Sequence, residues 1–457
     1  MEQKLKRKLT FLQMIALASG AVIGGWLAEA PYWFSLTGAG AAFIFPLLAI
    51  LLIPVGYAFG ELTAMLPFAS SIDVWTVNAF GRKMGWAAQW MMFLVQVVEP
   101  PMMAFIFLTA INYFIPVPAM MAVWVAIGIC IVWYILSNFN ISLTGKLATI
   151  LFFSMIVISL AVAVMFFTSG SWSVTNITSR GGFFPMGGRG IFVALAVFSL
   201  KFIGFELTPT LIEETTFKAK NMWKVVLSAL FIPALLYFIV VMAMGGVAPW
   251  NEVKEMSMPE PEIISKLSLP AIFGILAIIA GLMHAFTTLM GFWVSSARVL
   301  YGSAQLNQLP KVFMKVNRFG QPHVSNLVIL LFSIFFCLFT GDNWVQYIYA
   351  VSCIAAGLVY MMVCLDAIAL RKKHPEWNRP YKAPIGTPLF IFGALVSVWI
   401  IVGSCLELPV GGYISLGIYA VIGVVLYVVM HFLRKKNPKE LAHIVLTPDD
   451  IEKEAAL

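Results

Sequence analysis

Ionisable side chains lie inside the long apolar stretches of this sequence. Glu29, Glu99 and Lys201 have mostly apolar neighbours, and Lys146 follows a glycine in the segment NISLTGKLAT. A charge at the centre of a lipid bilayer costs at least about 2.5–3.5 kcal/mol on insertion scales. If these stretches cross a membrane, each charged group therefore needs a partner or a water-filled cavity, and such groups commonly mark the path of an ion or a substrate.

Two interpretations of these groups stay open at the level of sequence. In the first, Glu29 or Glu99 pairs with Lys201 near a transport pathway, or contacts a charged substrate directly. In the second, the same residues form a structural ion pair that joins two helices. Lys146 has its own pair of interpretations: an ammonium that loses contact with water can release and regain a proton, whereas an ordinary lysine marks the cytoplasmic end of a helix.

The elements that must position these groups are membrane helices. Of the 457 residues, 61% are hydrophobic and 11% are charged, which leaves too few polar residues to cover a soluble fold. Apolar segments of about 20 residues, long enough to cross a hydrocarbon core of about 30 Å, recur along the whole chain. No alternating pattern of barrel strands is visible, so we predict an all-α polytopic membrane protein. Twelve transmembrane helices are predicted near residues 11–36, 41–66, 84–113, 118–138, 140–168, 187–213, 222–247, 269–302, 323–341, 344–370, 387–406 and 412–434.

Two of the predicted helices contain residues that interrupt a helix. The first carries Gly20, Gly24 and Gly25 in ASGAVIGGWLAEA, and in the sixth, Gly204 and Pro209 flank the acidic residue of FIGFE. These are the first helices of two successive sets of five, and matching interruptions indicate a transporter built from inverted repeats. The glycines have a plainer interpretation as well, because small residues let membrane helices pack closely.

The distribution of basic residues predicts the orientation of the chain. The predicted connections on one side carry most of the Lys and Arg residues, whereas the other side carries only Arg180, Arg189, Lys254 and Lys266. The positive-inside rule therefore puts both termini in the cytoplasm, in the plasma or inner membrane, and accounts for the net charge of +8 without any nucleic acid. The predicted regions are an N-terminal segment (1–10), one transporter domain (11–434, with core helices 11–370 and peripheral helices 387–434) and a cytoplasmic tail (435–457).

Other classes of chemistry lack their sequence patterns. The five cysteines fall inside apolar segments without metal-type spacing, and there is no phosphate-binding GxxxxGK[ST] loop, GxSxG elbow or histidine-rich metal motif. We therefore expect neither a cofactor nor a metal, and we expect no enzymatic activity. An ion channel is the remaining rival, but no selectivity filter is recognisable.

Several short motifs, taken in order, resemble the amino acid–polyamine–organocation permeases. They are AVIGGWLAEAP in the first helix, GELTAMLP at 60–67, FIGFE at 202–206, SSARVLYGSAQLNQLP at 295–310 and RPYKAP at 379–384. The resemblance covers nearly the whole chain. It implies the LeuT-type fold, in which ten core helices form a 5+5 inverted repeat with discontinuous helices 1 and 6, two helices are peripheral, and access to a midplane site alternates.

The resemblance also implies which residues form the substrate site. The helix-1 backbone of such permeases holds a substrate carboxylate through a Gly, small residue, Gly pattern, but Trp26 takes the third position here. Lys201 replaces a small apolar residue before FIGFE, and Lys146 resembles a helix-5 lysine that takes the place of a sodium ion in some relatives. The candidate substrate-binding residues are Ala21, Ile23, Gly24, Gly25, Trp26, Glu29, Glu99, Lys201, Phe202, Gly204 and Phe205, and Lys146 is the candidate coupling residue.

The function expected from these features is secondary active transport of amino acids or small amines. The partners are the lipid bilayer, the small-molecule substrate and either a proton or a counter-substrate, and sodium is not required. A polyamine or organic-cation antiporter is the main alternative, with Glu29 and Glu99 as cation-binding carboxylates. A site in which Lys201 holds an acidic substrate is a third possibility.

Overall fold

The computed structural model describes residues 8–139, 141–178, 182–341 and 343–455. Arg180, most of the predicted N-terminal segment 1–10 and the last two residues of the tail therefore lie outside the described residues. Within the described part, all regular secondary structure is helical. The α-helices are α1 (Phe11–Val22), α2 (Ala30–Thr37), α3 (Ala41–Met65), α4 (Ile72–Phe80), α5 (Arg82–Val97), α6 (Glu99–Phe114), α7 (Ala119–Ser137), α8 (Ile141–Thr168), α9 (Val174–Thr178), α10 (Gly187–Val197), α11 (Met222–Val247), α12 (Trp250–Val253), α13 (Pro259–Lys266), α14 (Ala271–Gln305), α15 (His323–Phe339), α16 (Trp344–Lys373), α17 (Thr387–Leu406), α18 (Val410–Lys436) and α19 (Pro448–Ala455).

The helices are long and apolar enough for an integral, multi-pass membrane protein. Ten stretches of the described chain could cross a membrane by length and composition, and α1 and α15 are shorter apolar helices. α7 and α18 lie at the periphery, because only 22% and 17% of their most apolar windows are buried. Large apolar side chains on these two helices, such as Met120 and Val421, therefore face the lipid.

The first predicted helix is broken, as its glycines suggested. A capping box between Thr10 and Gln13 starts α1, which ends at Val22, and α2 begins at Ala30 with a proline in its first turn. Residues 23–29 between them, called the helix-1 gap below, are not helical. Gly20 itself is still helical, so the break lies a few residues further along the chain than predicted.

The sixth predicted helix is broken as well. α10 ends at Val197 and continues as three short 3-10 turns, Phe198–Phe202, Phe205–Leu207 and Pro209–Glu214, called the helix-6 break below. Gly204 has φ +137°, a conformation that favours glycine. A side-chain carbon at this position would lie 2.9 Å from the backbone nitrogen of Val22, so the two broken helices touch where each one unwinds.

The third predicted helix, 84–113, corresponds to the apolar span Arg82–Phe114, which is interrupted at a single residue. α5 ends at Val97 and α6 begins at Glu99, so the interruption at Val98 lies two residues before Pro100. Proline has no backbone N–H and clashes with the preceding turn, which explains the break. The consequence is that Glu99 occupies the first turn of α6, in the interior of the protein.

Candidate functional site

A buried ion pair connects the two broken helices. Glu29 lies at the end of the helix-1 gap and Lys201 lies in the first turn of the helix-6 break. Lys201 Nζ donates a hydrogen bond to Glu29 Oε2 at 2.7 Å, and the two side chains are 1% and 0% exposed. A single contact therefore joins residues 172 positions apart, at the place where both helices lose their regular hydrogen bonds.

Aromatic residues complete the surroundings of this pair. Tyr349 OH donates to Glu29 Oε2 at 2.5 Å and accepts a hydrogen bond from Trp33 Nε1 at 2.7 Å. The rings of Trp33 and Tyr237 lie 5.7 and 5.8 Å from Lys201 Nζ, within the range of a cation–π contact. Glu29 Oε1, in contrast, is buried and has no hydrogen-bond partner among the described residues.

The backbone at Gly24 lies directly against the Lys201 ammonium. A side-chain carbon added at Gly24 would lie 2.6 Å from Lys201 Nζ and 3.9 Å from Glu29 Oε1. Gly25 faces elsewhere, because a side-chain carbon there would meet Ile106 of α6 at 3.5 Å. Of the two adjacent glycines, Gly24 is therefore the one whose backbone packs against both charged groups, and a side chain at this position would displace the Lys201 ammonium.

Hydroxyl groups satisfy the carbonyls at the end of α1. Thr288 Oγ1 donates to the carbonyls of Gly20 and Ala21 at 3.1 and 3.0 Å, and Thr287 Oγ1 donates to Gly20 at 3.1 Å. Tyr237 OH donates to the carbonyl of Val22 at 3.0 Å. Because the last carbonyls of a helix lack partners within it, these contacts from α14 and α11 hold the broken end in place. The predicted site residue Ala21 is thus connected to α14 through its backbone carbonyl.

Two further carboxylates in this interior have neutral partners. Ser352 Oγ donates to Glu99 Oε1 at 2.7 Å. Glu206 accepts hydrogen bonds from the Gly204 N–H at 2.9 Å and from Tyr360 OH at 3.2 Å. Neither carboxylate forms an ion pair in the described part of the chain. Three buried carboxylates, those of Glu29, Glu99 and Glu206, thus lie at the two helix breaks or at the start of α6, and of the two candidates for pairing with Lys201 it is Glu29 that does so.

Trp26 fills the space next to the helix-1 gap. Its ring lies 4.4 Å from the ring of His284 and 6.0 Å from that of Tyr237, and its side chain faces the carboxyl group of Glu260 of α13. The indole is 2% exposed. Trp26, at the position of a glycine in the permeases that the sequence resembles, thus lines the helix-1 gap and reaches α13, which lies outside the membrane-spanning helices.

The other predicted site residues are buried but lie less directly on the ion pair. Phe202 presents an edge to Tyr237 at 6.5 Å, whereas Phe205 stacks on Tyr360 at 5.2 Å, on the side of Glu206. Ile23 is fully buried directly after α1. The two phenylalanines therefore belong to the packing around the helix-6 break.

Lys146 lies in a different place from the one predicted for a coupling residue. Its side chain is exposed, whereas the buried stripe of α8 contains Ala148, Phe152, Met155 and Ser159. At about 100° per residue, Lys146 points roughly half a turn away from that stripe. It is Phe152 that approaches Gly20 and Ser159 that contacts His284. The described geometry thus agrees with a basic residue at a helix end and not with an ammonium that replaces a sodium ion.

Sequence reasoning missed several residues that contact the charged groups. Trp33 was detectable, because it follows Glu29 by four positions and so lies on the same face of α2. Tyr349 contacts Glu29 directly but lies in an apolar helix far from it in the sequence. Tyr237 and Ser352 likewise lie in apolar helices, without any local pattern that distinguishes them.

Comparisons with known proteins agree with this architecture. A family model described as amino acid permease matches residues 9–430. The chain is similar to the gamma-aminobutyric acid permease of Bacillus subtilis, with 25% identity over 96% of both chains. It is also similar to the D-serine/D-alanine/glycine transporter of Escherichia coli K12 (24% identity over 84% of this chain and 85% of the relative) and to a branched-chain amino acid permease of Bacillus subtilis (24% identity over 85% and 86%).

Proposed function

This chain belongs to the amino acid permease family of the amino acid–polyamine–organocation superfamily, and from that premise we propose that it is a secondary active transporter of a small zwitterionic amino acid. Its relatives are transporters and not enzymes, so amino acid transport is the general activity of the group. The finer points proposed are the charge of the substrate, the side chains that bind it and the way in which access to the site alternates.

The single observation that carries the proposal is the Glu29–Lys201 ion pair at the junction of the two broken helices. A buried pair has a net charge of zero, so it matches a substrate whose own charges sum to zero. Lys201 is the donor available to a carboxylate, and the unpartnered Glu29 Oε1 is the acceptor available to an ammonium. A zwitterion can contact both groups at once, whereas a simple cation has to compete with Lys201 for Glu29.

Substrate binding then exchanges partners within the site. The substrate carboxylate takes the place of Glu29 on Lys201, next to the Gly24 backbone that packs against this ammonium, while the substrate ammonium contacts Glu29. Tyr349 keeps Glu29 oriented during the exchange, because its hydroxyl is held by Trp33. Such an exchange replaces one buried charge contact with two, and it leaves no buried charge unpaired.

The positions of the helix-1 gap and the helix-6 break support a mechanism of alternating access. We propose twelve membrane crossings: the ten long spans together with α1 and α15, arranged as a 5+5 inverted repeat followed by α17 and α18. The breaks fall in the first helix of each set of five, and the site lies between them. Movement of one broken helix relative to the other opens the site to one side of the membrane at a time.

The proposed orientation keeps both termini in the cytoplasm of a plasma or inner membrane. The basic residues at the C-terminal ends of α16 and α18 support it, since Lys and Arg accumulate on the cytoplasmic side. The gradient of a proton or a counter-substrate is the proposed source of energy. α12 and α13 then lie on the external side.

Counterflow in proteoliposomes tests the proposal. Vesicles loaded with unlabelled alanine, glycine or γ-aminobutyrate receive trace amounts of the same labelled compound, after a thermal-shift screen has shown which of them binds. We expect accumulation of label for at least one zwitterion, its loss in Lys201→Met, and its retention in the matched control Lys254→Met, whose side chain is 35% exposed. Conductance without counterflow would contradict a carrier.

One observation favours a second candidate, an organic-cation antiporter. Glu29, Glu99 and Glu206 outnumber the single ammonium of Lys201 in the interior, so a cationic substrate would balance the excess negative charge. Counterflow of labelled putrescine in the same vesicles separates the two candidates. Putrescine counterflow that Glu99→Gln abolishes, together with no counterflow of any zwitterion, would favour the antiporter.

A further inference from the structure

A short helical segment covers the helix-1 gap from outside the membrane-spanning helices. This segment, called the lid below, comprises residues 249–269 between α11 and α14 and contains α12 and α13. Glu260, in the first turn of α13, is only 4% exposed, and its carboxyl group faces the side chain of Trp26. A carboxylate of the lid therefore touches the residue that forms a wall of the substrate site.

Glu260 differs from every other carboxylate of the lid. Glu252 pairs with Lys266 at 2.5 Å and Glu255 pairs with Lys254 at 3.5 Å, and both acidic side chains are partly or largely exposed. Glu262 accepts the N–H groups of Ser257 and Met258 and thereby caps the start of α13.

Glu260 itself has no ion-pair partner in the described residues. The indole N–H of Trp26 is a neutral donor, so it leaves the charge of an ionised Glu260 without a counterion. Burial of a carboxylate in this way is unfavourable unless the group gains a proton.

Apolar contacts hold the lid on the helix-1 gap at the same place. Met258 of the lid forms a small buried cluster with Leu27 of the gap, Ala110 of α6 and Ile278 of α14. Leu27 also packs on Gly281, where an added side-chain carbon would lie 2.7 Å away. If the lid lifts, this cluster and the Glu260–Trp26 contact separate together, and water reaches Glu260.

We propose that Glu260 is a proton-binding site that couples closure of the lid to the pH on that side of the membrane. Closure takes up one proton on the Glu260 carboxylate, and opening returns that proton to the same solution. This inference rests on the proposed function, because it takes the lid to be the external cover of the substrate site.

The chemistry of the neighbouring groups supports a proton on Glu260 itself. Glu252 and Lys266 neutralise each other at the surface, and Glu262 is occupied with backbone N–H groups. From α14 and α11, His284 and Tyr237 approach the ring of Trp26. These contacts leave Glu260 as the buried acid of the lid whose only assigned partner is neutral.

The direction of the pH effect follows from the burial of Glu260. Burial raises the pKa of Glu260 from its ordinary value to about 7 in the closed lid, and the Trp26 hydrogen bond opposes this increase. In the open lid the carboxylate is in water and has an ordinary pKa near 4.3. Closure is therefore most favourable at low external pH, weakens as the pH rises towards about 7, and changes little above that value.

Distances between two spin labels measure the lid directly and need no substrate. The labels are attached to Ser265→Cys on the lid and Phe114→Cys at the end of α6, both exposed positions, in a background with the five native cysteines changed to alanine, reconstituted in lipid nanodiscs. We expect the ratio of closed to open lid to rise at least about tenfold between pH 8 and pH 5, since each unit of pKa difference is a factor of ten.

Three variants make the experiment decisive. Glu260→Gln keeps the shape of the side chain and should make the lid ratio independent of pH, whereas the matched control Glu255→Gln, at a carboxylate that is 75% exposed, should behave like the parent. Trp26→Phe removes the hydrogen bond that lowers the pKa of Glu260, so its midpoint should move to higher pH.

Two outcomes would overturn the inference: a parent lid that does not respond to pH, or a Glu260→Gln lid that responds as the parent does. Because no substrate is added, a failure here is distinct from a failure of counterflow.

Discussion

The central Glu29–Lys201 pair and the Glu61–Arg371 pair at the C-terminal end of α16 are built differently. At the end of α16, Arg371 Nε and Nη2 donate to the two oxygens of Glu61, and the Ala383 N–H adds a third bond at 2.7 Å. In the centre, Lys201 and Tyr349 both donate to one oxygen of Glu29, and the other oxygen has no partner among the described residues.

This difference supports the proposal that the Glu61–Arg371 pair holds the fold together, whereas the Glu29–Lys201 pair binds a ligand. The planar guanidinium of Arg371 matches a carboxylate along two parallel bonds, and Glu61 has no free oxygen left. Lys201 is a point charge on a flexible chain and can exchange one carboxylate for another at little geometric cost. A buried pair with one carboxylate oxygen unpartnered among the described residues is therefore the better candidate for substrate recognition.

The largest effect is expected when only one partner of the Glu29–Lys201 pair is removed. Lys201→Met leaves Glu29 buried without a cation, and such a loss typically costs about 3–5 kcal/mol of stability. We expect a clear decrease in the apparent melting temperature of the purified protein and no counterflow. The double variant Glu29→Gln with Lys201→Met should regain most of the stability but no transport.

Normal transport by the double variant would show that the Glu29–Lys201 pair is structural, like the Glu61–Arg371 pair. If the Lys201→Met single variant is as stable as the parent, the argument that an unpaired, buried Glu29 destabilises the fold is contradicted.

A smaller effect, on stability and not on substrate binding, is expected from the Glu61–Arg371 pair. Arg371→Lys keeps the charge next to Glu61 but loses the two-bond geometry, which should lower stability by about 1–3 kcal/mol. Substrate affinity, measured by isothermal titration calorimetry or by thermal shift, should stay within about twofold of the parent. If Arg371→Lys weakens the free energy of substrate binding as much as the free energy of unfolding, the two ion pairs do not differ in their roles.

The hydroxyl of Tyr349 should contribute less than either cation. Tyr349→Phe removes one hydrogen bond to Glu29 and leaves the Trp33 N–H without its acceptor, which should weaken substrate binding by about tenfold, or about 1.5 kcal/mol. Tyr347→Phe is the matched control, because that hydroxyl contacts Ser415 instead. Equal binding by both variants would mean that Tyr349 does not orient Glu29.

The smallest effect is expected at Lys146. Because its side chain is exposed at the beginning of α8 and lies away from the buried stripe, Lys146→Ala should change stability by less than about 0.5 kcal/mol and leave pH-driven uptake unchanged. Uptake measured at several pH gradients checks this. If the variant loses proton-driven uptake but keeps exchange, Lys146 is the coupling residue after all.

Much of the architecture was predictable from the chain alone. The lengths of the apolar runs indicated the helical segments, and Gly204 with Pro209 indicated the break that follows α10, because a positive φ and a missing N–H are local properties of these residues. The break before Pro100 was missed although the same local rule predicts it.

The sequence by itself determined that this is a helical membrane protein with two interrupted helices, because hydropathy and backbone restrictions act over a few residues at a time. Only the tertiary structure decided that Lys201 pairs with Glu29 and not with Glu99, that Trp26 reaches Glu260 of the lid, and that Lys146 lies on the outside. Such contacts join residues far apart in the chain, and their partners depend on how helices rotate and pack against one another. A difference of one residue in helix register, about 100° of rotation, changes which of these groups meet.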